Sequence, residues 1–148
     1  VARLSRLLAH SAGLPAEQVA RITIGAFLRD LGKIGIPDAI LKKPGAYTPE
    51  ERAQMNQHAQ MGADILGRSR VPLFQLAAEV ALTHHERWDG SGYPRGLVGE
   101  AIPISGRIVA VVDFFAKLRK ADDIDYWFDL VPFEVGTASA RARWRWPP

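Results

Sequence analysis

The stretch "TPEERAQMNQHAQMGADIL", residues 48–66, contains the signals that identify this chain as helical. Thr48 and Glu51 have the spacing of a capping box, and Pro49 between them suits the first turn of a helix. Downstream residues then recur at the helical period on the predicted inward face: Met55, His58, Gly62 and Ile65. The stretch predicts one helix that carries an imidazole on its apolar face.

Four more helices are predicted, two before this one in the chain and two after it. Apolar periodicity and Pro/Gly boundaries indicate helices over residues 2–12, from Pro15 to Asp30, from Pro72 to His84, and from Pro103 to about 118. The apolar stripes of the first two include Leu7, Leu8 and Phe27. The fold class is therefore all-α, a bundle of about five core helices. The helical period is lost in residues 119–148, which we expect to form an irregular C-terminal segment.

A second stretch, "THHERWDGSGYPRGL" at residues 83–97, ends one of these helices with two adjacent histidines. Glycines follow at once and predict a loop over about residues 89–101. Ionisable side chains also fall on the inner faces of the other predicted helices. The full set is Asp30, His58, His84, His85 and Asp113.

Burying such groups singly is costly, and grouping them around a cation removes that cost. Imidazole and carboxylate ligands suit iron, manganese, zinc or nickel better than calcium. The pattern therefore predicts a shared metal site. Alternatives stay open: each histidine could be an ordinary core residue, and Asp30 could simply pair with Lys33 three positions away. Neither an HExxH zinc motif nor a P-loop is present.

Composition limits the other classes of function. The 148 residues suit one domain, with 47% hydrophobic and 24% charged residues. A net charge of +3 does not by itself indicate a nucleic-acid surface. The lack of cysteine excludes disulfides and thiolate metal sites. No 18-residue apolar run predicts a membrane span. Because the chain opens at Val1 without a signal pattern, we expect a piece of a longer protein.

Two segments resemble the signatures of HD-GYP domains. They are "LRDLGKIGIPDAILKKPGAYTPEERAQMNQHAQMGADIL", residues 28–66, and "HHERWDGSGYPRGLVGEAIPISGRIVAVVDFFAKL", residues 84–118. The spacings also resemble those of that family: 28 positions from Asp30 to His58, 26 from His58 to His84, and 28 from His85 to Asp113. The resemblance covers residues 1–118, and residues 119–148 form a divergent segment.

The resemblance implies an HD-type helical domain and a metal-dependent phosphodiesterase that hydrolyses cyclic di-GMP to pGpG or GMP. The implied ligands of one or two iron or manganese ions are Asp30, His58, His84, His85 and Asp113. Lys33 would act with Asp30 in catalysis and contact the scissile phosphate, and Gly92, Tyr93 and Pro94 would border the substrate groove. The implied setting is bacterial second-messenger signalling in the cytoplasm. A sensory or receiver domain upstream, or a GGDEF-type protein, would be the partner, with no nucleic acid polymer and no membrane.

The chain departs from the family pattern at Arg29, which stands where the family has the HD histidine. A guanidinium does not ligate metal, so we expect one metal to be weakened or lost, with Arg29 as a fixed cation nearby. The alternative function is a degenerate module that binds cyclic di-GMP or a partner protein without turnover. The family's Arg-Pro-Tyr stretch beyond Asp113 is also replaced, here by "RKADDIDYWF" at residues 119–128. A nucleic-acid contact through the Trp/Arg-rich tail is a third, remote interpretation.

Overall fold

The computed structural model describes residues 1–118, so the predicted irregular segment at 119–148 lies outside the described residues. Within residues 1–118 the regular elements are helical, apart from one isolated bridge between Asp89 and Val98. The α-helices are α1 (Ala2–Ser11), α2 (Ala16–Leu28), α3 (Asp38–Leu41), α4 (Pro49–Asn56), α5 (His58–Gly67), α6 (Pro72–Thr83) and α7 (Ile104–Leu118). Short 3₁₀ helices span Leu31–Gly35 and Gly99–Ala101. The all-α prediction is confirmed.

The helix count exceeds the predicted five for two local reasons. The helix expected over residues 48–66 is divided at Gln57, whose N–H donates to the carbonyl of Gln54 and tightens the turn between α4 and α5. The short helix α3 forms inside the Gly/Pro-rich connection. The predicted start of α4 is confirmed: Thr48 Oγ1 accepts from the Glu51 N–H, and the Glu51 carboxylate accepts from the Thr48 N–H at 2.8 Å.

Helix α6 lies at the centre of the domain, with α2 and α7 against one part of its surface and α5 against another. The main apolar cluster joins α1, α2, α6 and α7 and consists of Ala9, Val19, Ile22, Ala26, Val80, Ile108 and Val109. A second cluster joins α5 and α6 through Leu66, Ala77, Ala78 and Ala81. Because α6 is packed on several sides, its C-terminal end is fixed inside the domain.

The predicted apolar stripes are wrong at four large residues. Leu7, Leu8, Phe27 and Ile65 are 56%, 38%, 77% and 44% exposed, respectively. Small residues such as Ala9 and Ala26 are fully buried instead. Small side chains let neighbouring helices approach closely, so each helix turns its alanine-rich face inward, and large neighbours one position away point outward.

A close backbone contact brings the end of α2 to the start of α5. A Cβ built on Gly32, in the first 3₁₀ helix, would lie 1.9 Å from the carbonyl oxygen of His58 and 2.4 Å from the amide nitrogen of Gly62. Only a residue without a side chain fits there. The contact sets the turn containing Asp30 beside His58. Within the described residues, no helix is both long and apolar enough to span a membrane.

Candidate metal centre

Four of the five predicted ligands converge on one point. Asp30, His58, His84 and His85 each offer one ligand atom, and these atoms all lie within 4.8 Å of one another. Asp30 comes from the turn after α2, His58 begins α5, and the adjacent pair follows the last turn of α6. Residues up to 55 positions apart in the chain therefore form a single cluster of nitrogen and oxygen donors.

Backbone carbonyls fix the orientation of two of these imidazoles. Nδ1 of His58 lies 2.6 Å from the carbonyl oxygen of Met55, and Nδ1 of His84 lies 2.9 Å from that of Ala81. A carbonyl only accepts, so we assign the proton of each ring to Nδ1, which leaves a lone pair on Nε2. Each Nε2 is buried and has no hydrogen-bond partner among residues 1–118; it lies 3.6 Å (His58) or 3.9 Å (His84) from Asp30 Oδ1.

Buried acceptors without partners are rare and call for an explanation. A ring that donates one N–H to a carbonyl and directs its other nitrogen at a shared point has the arrangement of a metal-ligating histidine. The donor set therefore fits a divalent transition ion.

The protonation states of the three histidines also favour metal binding. Burial lowers the pKa of His84 to about 4 and, aided by the neighbouring His84, that of His85 to about 2. Burial also lowers the pKa of His58. All three rings are therefore neutral near pH 7, the form in which imidazole binds metals.

Asp30 remains ionised although it is partly buried. Burial acts to raise its pKa, but the Lys33 hydrogen bond and the charges of Arg29 and Lys33 outweigh burial and lower the pKa to about 2. Lys33 Nζ lies 2.8 Å from Asp30 Oδ1. The Asp30–Lys33 ion pair, which was one of the open alternatives for Asp30, is thus present within the cluster. It involves Oδ1, the oxygen of Asp30 that faces the histidines.

Asp113, the fifth predicted ligand, lies outside the group of four. Its Oδ1 accepts from Arg29 Nε at 2.9 Å, and its Oδ2 lies 2.7 Å from Lys117 Nζ. The guanidinium of Arg29 also reaches Asp30 Oδ2, 3.0 Å from Nη2, and donates from Nη1 to the Ala26 carbonyl at 2.9 Å. Arg29 therefore bridges the carboxylates of Asp30 and Asp113.

The glycine-rich loop lies directly against the histidines. The Tyr93 ring stacks on His85 with 4.7 Å between ring centroids, and burial raises the pKa of the Tyr93 hydroxyl. Gly92 packs on the chain preceding the loop, where a Cβ would come within 2.5 Å of Glu86 Cα. Pro94 is exposed. The loop thus forms one wall of the cluster and presents its tip to solvent.

Glu86 holds this loop in place, although it is not among the residues predicted for the site. Its carboxylate is 4% exposed and accepts hydrogen bonds from the N–H groups of Arg95, at 2.7 Å, and Leu97, at 2.9 Å. Its position is the signal for this role, because an acidic residue between the paired histidines and a glycine-rich loop is well placed to accept hydrogen bonds from the backbone of that loop.

Comparison with known proteins agrees with the resemblance in sequence. Residues 1–125 match the family model described as HD domain. A cyclic di-GMP phosphodiesterase of Thermotoga maritima is 59% identical over 112 residues, which are 76% of this chain and 30% of that protein. A 3'3'-cGAMP-specific phosphodiesterase of Vibrio cholerae is 48% identical over 130 residues, 87% of this chain and 25% of that protein.

A cyclic di-GMP phosphodiesterase response regulator of Xanthomonas campestris is also similar, 48% identical over 121 residues, 82% of this chain and 32% of that protein. The chain belongs to the HD domain family, and its HD-GYP resemblance is confirmed. It spans between 25% and 32% of the length of these three relatives. Membership in the family implies binding of a divalent metal, for which the four-residue cluster is the candidate ligand set.

Proposed function

We propose that this chain is the phosphohydrolase domain of a cyclic dinucleotide phosphodiesterase, which hydrolyses cyclic di-GMP to pGpG or GMP with iron or manganese. One observation carries the proposal: two buried imidazoles hold unpartnered Nε2 atoms toward the ionised carboxylate of Asp30, within a cluster of four donors. Relatives at 48–59% identity that are named as cyclic dinucleotide phosphodiesterases support the choice of substrate class.

The proposed roles follow from the positions of the side chains. Asp30, His58, His84 and His85 would hold the ion, and the carbonyls bonded to Nδ1 would keep the first two rings in the ligating tautomer. When bound, a divalent ion supplies Lewis-acid chemistry that activates water and stabilises charge on phosphoryl oxygens.

Lys33 and the glycine-rich loop would serve the substrate. The Lys33 ammonium is 39% exposed on a flexible stem, so it can turn from Asp30 toward a phosphate where negative charge develops. Gly92, Tyr93 and Pro94 would border the nucleotide, with the exposed Pro94 at the rim of the groove. Asp113 would act indirectly, through its ion pair with Arg29.

A turnover assay with cyclic di-GMP and Mn²⁺ or Fe²⁺ tests the proposal. We expect hydrolysis by the parent protein and its loss in His84→Ala. His10→Ala is the matched control, because His10 is the one histidine outside the cluster and is exposed at the end of α1. Equal activity in the parent and His84→Ala would contradict the proposal.

Arg29 favours a second candidate function, a module that binds the cyclic dinucleotide or a partner protein without hydrolysing it. Its guanidinium engages both Asp30 and Asp113, which are therefore not free to act as ligands together. Calorimetric binding of cyclic di-GMP without turnover, followed by gain of hydrolysis in Arg29→His, would select this candidate over the first.

Substrate choice and setting extend the same proposal. Both cyclic di-GMP and 3'3'-cGAMP should be assayed, because relatives named for each are similar to the chain. As partners we propose a receiver-type domain in a longer protein, which the relative named as a response regulator supports, or a GGDEF-type protein. We place the activity in the cytoplasm, with a small dinucleotide rather than a nucleic acid polymer as substrate.

A further inference from the structure

We propose that Arg29 is a built-in cation that takes the place of a second metal ion, so that this domain binds one divalent ion per chain. The inference rests on the proposed metal centre and concerns how many ions that centre holds. Phosphodiesterases that use two ions place them about 3.5–4 Å apart, with shared oxygen ligands. In this chain the oxygens available for sharing are already engaged by a side chain.

The four carboxylate oxygens of Asp30 and Asp113 divide between different partners. Asp30 Oδ1 faces the Nε2 atoms of the histidines and pairs with Lys33, whereas Asp30 Oδ2 lies 3.0 Å from Arg29 Nη2. Asp113 Oδ1 lies 2.9 Å from Arg29 Nε, and Asp113 Oδ2 pairs with Lys117. The guanidinium therefore stands between the two carboxylates, and only Asp30 Oδ1 is directed at the histidines.

Arg29 differs from the two lysines in how firmly it is held. Its side chain is 18% exposed, against 39% for Lys33 and 62% for Lys117. Besides its ion pairs with Asp30 and Asp113, Arg29 donates a hydrogen bond to the Ala26 carbonyl, which ties it to the last turn of α2. The lysines can swing into solvent when an ion arrives, whereas the partly buried guanidinium is held by two carboxylates and a backbone carbonyl and has less freedom to leave.

The net charge of the side chains around the site also favours a single bound ion. Arg29, Lys33 and Lys117 carry three positive charges against the two negative charges of Asp30 and Asp113, and the buried histidines are neutral. The site is therefore at +1 before any ion binds. One divalent ion can be accommodated at the nitrogen-rich end, where none of the described side chains is a firmly held cation. A second would have to bind against the guanidinium.

Manganese titration of the 148-residue protein tests the inference, with Mn²⁺ per chain measured by equilibrium dialysis and the electron paramagnetic resonance spectrum as a second readout. We expect one Mn²⁺ with an uncoupled signal in the parent, and two exchange-coupled Mn²⁺ in Arg29→His, which removes the fixed charge and adds a ligand. Arg21→Gln is the control, since it removes an arginine from the same helix whose ion pair within residues 1–118 is with Glu17, outside the cluster.

Arg29→Gln keeps the test decisive if Arg29→His does not fold. Removing one positive charge near the ion should tighten the dissociation constant of the first Mn²⁺ roughly tenfold. Two coupled ions in the parent would overturn the inference, as would Arg29 variants that leave both stoichiometry and affinity unchanged. No binding to the parent at all would instead overturn the metal centre itself, so the two failures are distinguishable.

Discussion

Replacing Glu86 with glutamine should release the glycine-rich loop from the histidine cluster. The carboxylate accepts two backbone N–H bonds in an almost fully buried position. Glutamine has nearly the same shape, but it offers one carbonyl oxygen and turns an NH₂ group toward the other N–H. One charge-assisted hydrogen bond is lost, and two donors are left facing each other.

The magnitude follows from these contacts. A hydrogen bond to a charged group contributes about 1.5–3 kcal/mol, and leaving a buried donor unsatisfied costs about 1–3 kcal/mol. We expect Glu86→Gln to lower the free energy of unfolding by about 2.5–6 kcal/mol, the sum of these two contributions, unless the loop detaches first. In that case hydrogen exchange will show the amides of Arg95 and Leu97 losing protection, while the helices keep theirs.

Urea unfolding together with amide hydrogen exchange measures both outcomes. Glu100→Gln is the matched control, because Glu100 is an exposed glutamate of the same loop, and it should change neither quantity. Unfolding within about 0.5 kcal/mol of the parent, with both loop amides still protected, would refute the assigned role of Glu86.

Three further changes test other parts of the structure. Gly32→Ala should unfold the domain or abolish metal binding, because the new Cβ would lie 1.9 Å from the His58 carbonyl oxygen. Gly67→Ala is the control and should be tolerated, because its Cβ would lie 3.8 Å from the nearest neighbouring atom. Thermal melts of both variants would decide. In the metal-free protein His84 titrates at about 4 and His85 at about 2, so between pH 6.5 and 4 the unfolded chain binds more protons than the folded one. Stability should therefore fall on acidification, by about 1.4 kcal/mol per pH unit from His84 alone; a flat profile in urea titrations with chelator would contradict this. Mn²⁺ at 100 times its dissociation constant should stabilise the fold by about 2.7 kcal/mol. The melting temperature should therefore rise by about 5–10 °C, and a chelator should reverse the rise. An unchanged melting temperature would count against a metal site that forms only in the folded state.

Sequence patterns predicted the helices and most of the cluster because both depend on local signals. The capping box at Thr48 marks a helix start without tertiary information. His58 and His84 fall at positions where helical periodicity predicts an inward side chain, and His85 follows directly in the turn after α6. The burial of Ala26 rather than Phe27 could not be predicted in this way, since it depends on which helix face a neighbour approaches most closely.

The polar contacts around the cluster also required the folded structure. Asp113 has the right residue type and register, but whether it joins the histidines or pairs with Arg29 depends on side chains 84 positions apart. Glu86 acquires its role only when the loop folds back and presents two N–H groups to it. Periodicity describes one helix at a time, so it does not reveal such partners.

The most direct test is anomalous diffraction at the manganese or iron edge, from crystals of protein purified without oxygen and supplied with the metal. A single strong peak is predicted about 2 Å from Nε2 of His58, Nε2 of His84 and Oδ1 of Asp30, with His85 also in contact. No peak there, or a peak bound by other residues, would contradict the claim that these four side chains converge to hold one cation.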